Sequence, residues 1–205
     1  LDSIAPWALL ALAQLHQQDR PTAEPFLAAA REIAPNQAYV DIVEAQLCTA
    51  WKAHDCAAAA YQRALEKRPD SGWLYGRIGD FYRPTDPPLP HQDWVKAGNY
   101  YREAVIRRPN DPWAQERLAF ALFYQGDYVE AADHLALSLH ELSHPQSQLA
   151  ARYCTLAQMQ QAAMLLDDAL KNAQTCLAKL DNADMRSAVE ALISQIKDAA
   201  ETSQQ

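Results

Sequence analysis

The residues best equipped for chemistry stand at His140-Glu141-Leu142-Ser143-His144, a match to H-E-x-x-H. On a helix this spacing sets two imidazoles one turn apart to bind zinc, with the glutamate as general base for metalloprotease hydrolysis. Pro145 follows at once, so the helix ends where a zinc-hydrolase helix has to continue. No strand pattern is at hand to hold a substrate. Zinc metalloprotease chemistry through this motif is thus a remote alternative to a non-catalytic reading. His16, His54 and His91 have no cysteine or carboxylate at ligand spacing, and no serine lies in a nucleophile elbow. Cys48 and Cys56 are eight residues apart and Cys154 and Cys176 twenty-two apart, spacings that fit no zinc site. No enzyme activity, cofactor or metal is expected.

The elements that must position these residues are helices. The chain has 39 Ala and 24 Leu against 6 Val and 7 Ile, a balance that favours helix over sheet. Only 5 of its 205 residues are Gly, which disfavours phosphate loops and β-sandwiches. The formal charge is -8 and no run of Lys or Arg exceeds two, so the basic face that a nucleic acid or an anionic membrane surface needs is lacking. No apolar stretch reaches the roughly eighteen residues needed to cross a bilayer. Leu1 carries neither an initiator Met nor a signal-peptide pattern, from which a processed protein or a domain cut from a longer one is expected.

The helices recur. Pro35 and Pro69 are 34 residues apart, and twelve, eight and five residues before each stand Ala23, Leu27, Ala30 and Ala57, Tyr61, Ala64. The same count from Pro109 gives Ala97, Tyr101, Ala104; one period on come Ala131, Leu135, Ser138, with Ser143 in place of proline. Upstream helices carry a second pattern: Trp7, Leu10, Ala11 in the first unit, Tyr75, Ile78, Gly79, Tyr82 in the third, and Leu118, Ala119, Leu122 in the fourth. Small residues such as Ala11 against Ala23, or Gly79 against Ala97, let two antiparallel helices touch, and the proline ends the second helix. Unit two departs from the pattern, with Asp41, Glu44 and Cys48 in slots for large residues.

Over residues 4–143 this pattern resembles the tetratricopeptide repeat. The resemblance implies an all-α, right-handed α-α superhelix of four to five helical hairpins in a single domain over 1–205. Its units are expected at 4–37, 38–71, 72–111, 112–145 and 146–181. A helix at 184–200, with Ala188, Leu192 and Ile196 on one stripe, would cap the array. A proline-rich insertion at 84–94 would lie extended between the helices of the third hairpin, either as a lip over a binding face or as a tolerated loop extension.

In such arrays the first helices line the concave side. Trp73, Arg77 and Asp80 share one helical face, and forty residues on it reads Trp113, Arg117, Phe120 and Tyr124, flanked by Glu116 and Phe123. Tyr39 and Gln46 hold the corresponding slots in unit two. Trp and Arg together are the material of peptide-binding hot spots; the alternative is that the tryptophans pack between hairpins. Some family members grip a chaperone tail's carboxylate with Lys, Arg and Asn side chains. Ala8 and Leu12 stand where the first unit would need its Lys and Asn, so that partner is disfavoured, whereas Arg77, Arg83 and Arg117 suit an acidic or carboxyl-terminated segment.

Each cysteine pair is symmetric about a hairpin turn, Cys48/Cys56 about residue 52 and Cys154/Cys176 about residue 165, at equal height on facing helices. Two disulfides would imply a periplasmic or other extracytoplasmic setting; buried free thiols would fit the cytoplasm. The expected function is a non-catalytic scaffold binding a peptide or protein segment in its groove. The alternative is an accessory domain packed within a larger membrane-associated secretion, cytochrome-maturation or polysaccharide assembly, with no membrane insertion of its own and tethered through a membrane protein.

Overall fold

The structure, a computed structural model, describes residues 5–140, 146–180 and 183–203. They form α1 (Pro6–Leu15), α2 (Arg20–Ile33), α3 (Ala38–Ala50), α4 (His54–Lys67), α5 (Gly72–Tyr82) and α6 (Trp94–Arg107). Then come α7 (Pro112–Gln125), α8 (Tyr128–His140), α9 (Gln146–Ala162), α10 (Leu166–Lys179) and α11 (Ala183–Ser203), with no strand among the described residues. The prolines stop the helices as the repeat predicts. The residues before Pro35, Pro69 and Pro109 are the C-caps Ala34, Arg68 and Arg108, and all three adopt nearly one conformation, with φ of -134°, -140° and -138°. A proline ring clashes with a helical residue ahead of it, so each helix closes there. After α7, Gly126 turns the chain instead, at φ +90°.

The chain divides into two compact units, residues 1–92 and 93–205. In the first, α1 pairs with α2 and α3 with α4, the first hairpin packs on α3, and α5 lies against α4. Leu9, Leu10, Ala13, Ala23, Leu27, Val40, Val43 and Leu47 form its core cluster. In the second, α6 packs on α7, α7 pairs with α8 and α9 with α10, and α11 covers the last hairpin. There the second-helix slots Ala97, Tyr101, Ala104, Ala131, Leu135 and Ser138 are all buried.

Two details of register differ from expectation. In α1 the buried residues are Leu9, Leu10 and Ala13, while Ala11 is exposed and Trp7 is 71% exposed. The small residue sharing the core with Ala23 is therefore Ala13, ten positions away, where later hairpins keep twelve between Ala45 and Ala57 or Ala119 and Ala131. A hairpin two residues shorter shifts its first helix by more than half a turn, which carries Trp7 out of the core. In α11 the apolar stripe runs through Val189, Leu192 and Ile196, and Ala188 is exposed, because burying the larger side chain removes more apolar surface from water.

The insertion is not extended. Gln92 Oε1 accepts from Thr85 N at 3.0 Å, Thr85 Oγ1 at 2.9 Å and Leu89 N at 2.8 Å, so one amide oxygen folds the loop back on itself. His91 then stacks on His54 at 3.9 Å and on Phe81 at 4.6 Å.

The aberrant slots of unit two are filled by charge pairing. Asp41, 2% exposed, accepts from Arg63 Nε at 3.1 Å and Lys67 Nζ at 2.6 Å. Glu44 Oε2 takes both Arg31 and Arg63. Lys67 also donates to Pro35 O at 2.6 Å, so α2, α3 and α4 are joined through two carboxylates. In the second unit Gln115, also buried, donates to Pro109 O at 2.6 Å, and its Oε1 lies 2.5 Å from His134 Nδ1. Burial pushes the His134 imidazole below its usual pKa, against the opposing pull of Glu130.

Both cysteine pairs are disulfides: Cys48–Cys56 joins α3 to α4 with Cα atoms 5.8 Å apart, and Cys154–Cys176 joins α9 to α10 at 5.3 Å. The oxidised chain should weigh about 4 Da less than the reduced one by intact mass, two hydrogens per bridge. Asp41→Ala should lower the urea-unfolding free energy by about 2 kcal/mol, less than for a fully buried pair because Arg63 and Lys67 can rehydrate. A loss within error of zero would show the pairs to be ornamental. Because folding depresses the His134 pKa, stability is lost as pH falls below its unfolded value of about 6.5. His134→Asn should flatten the dependence of the urea midpoint between pH 7 and 5.

Candidate functional site

Helix capping sets the phase of the faces singled out by sequence. Ser71 Oγ accepts from Leu74 N at 3.4 Å to start α5, and Asp111 Oδ1 accepts from Trp113 N at 3.1 Å to start α7. Trp73 and Trp113 are thereby the second helical residues of α5 and α7, each with an arginine one turn on. Arg77 lies over the Trp73 ring at 5.9 Å and Arg117 over the Trp113 ring at 5.7 Å, the same cation–π pair built twice. Trp73 is 42% exposed and Trp113 half-buried, so each ring presents an open portion to solvent.

The same position is aromatic in α1 and α3. Trp7 follows the N-cap Ala5 and Tyr39 follows the N-cap Gln37 by the same two residues, and Tyr39 is 50% exposed. Sequence reasoning placed Trp7 with the core aromatics; its N-cap spacing was the signal that sets it with Tyr39, Trp73 and Trp113. Val43 follows Tyr39 by one turn and is buried, so α3 has no arginine partner there.

The remaining candidates divide. Asp80 pairs with Arg77 at 3.4 Å, and Gln46 accepts from Gln14 Nε2 at 2.9 Å. Glu116 is taken by Arg152 in a fork, Nε to Oε1 at 3.0 Å and Nη2 to Oε2 at 3.1 Å, which ties α7 to α9. Tyr124 stacks on Trp94 at 4.3 Å, while Gln125 donates to Trp94 O at 3.0 Å; Trp94 is a member of this surface that sequence spacing did not single out. Phe120 is half-buried beside them on α7. The Nε atoms of Arg77 and Arg83 are buried with no hydrogen-bond partner among the described residues. Of the H-E-x-x-H motif, His140 is the last residue of α8, and Glu141 and His144 lie outside the described residues.

No protein-family model and no curated protein sequence matches the chain. Solved structures do. PilW, described as a widely conserved type IV pilus biogenesis factor, is 21% identical with a TM-score of 0.62, over 97% of this chain and 87% of that one. Pseudomonas aeruginosa pilF is 14% identical with a TM-score of 0.68, over 96% and 86%. YrrB, described as a TPR protein with an unusual peptide-binding site, is 16% identical with a TM-score of 0.66, over 89% and 90%. At these identities what is shared is the backbone: the chain has the all-α helical-repeat fold of the tetratricopeptide-repeat proteins.

Proposed function

We propose that the chain is a non-catalytic protein–protein interaction scaffold that takes up a peptide or protein segment along the first-helix faces of its hairpins. The observation that carries this reading is the aromatic residue at the second position of α1, α3, α5 and α7, joined on α5 and α7 by a stacked arginine. A flat apolar plate beside a planar donor fork suits an extended segment with apolar and carboxylate groups. The two disulfides support an extracytoplasmic, periplasmic setting.

A second reading is an accessory component held constitutively within a membrane-associated secretion machine. Two observations favour it: the likeness to a pilus biogenesis factor, and the apolar side chains of α1 left in solvent, Trp7 at 71% and Leu15 at 75% exposure.

A phage-displayed peptide library panned on the full chain separates the two. The scaffold reading expects enriched peptides that lose about tenfold or more in affinity to Trp113→Ala and Arg117→Ala, with melting midpoints within about 2 °C of wild type. A large drop in the midpoint with binding intact would make these side chains structural. Failure to enrich any peptide would favour the accessory reading.

A further inference from the structure

Glu44 and Cys48 stand four residues apart on α3, hence on one face, and Cys56 reaches them from the first turn of α4 across the hairpin. One carboxylate oxygen of Glu44 and the two sulfurs lie within 4.8 Å of one another. We propose that Glu44, Cys48 and Cys56, once the disulfide is reduced, form a three-ligand site for a thiophilic divalent cation of the zinc class. This hairpin is then closed either by a sulfur–sulfur bond or by a metal.

Thiolate donors select soft and borderline cations, and three protein ligands with water in the fourth position complete a tetrahedral zinc shell. Arg31 and Arg63 do not consume the third ligand. Both contact Oε2 of Glu44, which leaves Oε1 as the remaining donor. They also balance charge, because two thiolates and a carboxylate around a divalent cation carry one negative charge in excess, and two guanidiniums stand beside it. Cys48 is buried while Cys56 is half-buried, so the sulfurs are sheltered on one side and open to entry on the other. The second disulfide is a built-in control. Cys154 and Cys176 have no third Cys, His, Asp or Glu donor within that reach among the described residues.

Reduction by a trialkylphosphine balances as disulfide, phosphine and water giving two thiols and phosphine oxide; metal uptake then releases two protons. The test uses the full chain reduced with such a phosphine and titrated with cadmium, read by the ultraviolet thiolate-to-cadmium charge-transfer band. With Cys154→Ser and Cys176→Ser in place, one cadmium per chain should bind, and Glu44→Gln should weaken it about tenfold or more. With Cys48→Ser and Cys56→Ser instead, the second pair should bind at least about tenfold more weakly for want of a third ligand. Arg31→Ala, which keeps the carboxylate, should hold affinity within about threefold, since it removes charge and not a ligand. Equal affinity of the two pairs, indifference to Glu44→Gln, or an equal loss in Arg31→Ala would overturn the site. So would a loss of helical circular dichroism on reduction that cadmium does not restore.

Discussion

Two helices of a hairpin lie in contact only where both carry a residue small enough for the backbones to approach, and the rest of this molecule depends on that condition. Ala45 faces the level of Ala57, and Ala119 that of Ala131, with all four fully or nearly fully buried. Helices this short are marginal alone, so what holds them is the apolar surface they bury on their neighbours. The alanines set the distance; larger residues such as Val43 and Leu47 then fill the space between the first two hairpins.

A fixed spacing makes each slot demanding. Where unit two puts carboxylates into slots for large side chains, the array closes by drawing in cations from both flanking helices, because a buried charge persists only when paired and hydrogen-bonded. Asp41 and Glu44 thus become a bond between α2, α3 and α4. The Cys48–Cys56 bridge sits beside that network and not in a purely apolar interior. The same logic seats Gln115 against Pro109 and His134, and Glu116 against Arg152.

The placement of the exposed aromatics follows from where the first helices begin. Where a helix begins fixes which way its second residue points, and an aromatic stands second in the helices that start after Ala5, Gln37, Ser71 and Asp111; Ser71 and Asp111 cap with their side chains, Ala5 and Gln37 do not. An arginine one turn later is then in stacking range without further design.

The repeat period, the helix ends at Pro35, Pro69 and Pro109, the Trp-x3-Arg faces and the equal heights of the cysteine pairs could all be read from spacing, because each is set by counting along one chain. Tertiary structure alone decided that α1 turns Trp7 outward and Ala13 inward, since that depends on how short the first hairpin is. It also decided that Val189 replaces Ala188 in the last helix's stripe and that Trp94 stacks on Tyr124. The partners of Asp41, Glu44 and Glu116 stand 13 to 36 positions away. Periodicity along a chain places side chains on a helix face, whereas which faces meet, and which charges then find each other, is settled only when the helices pack.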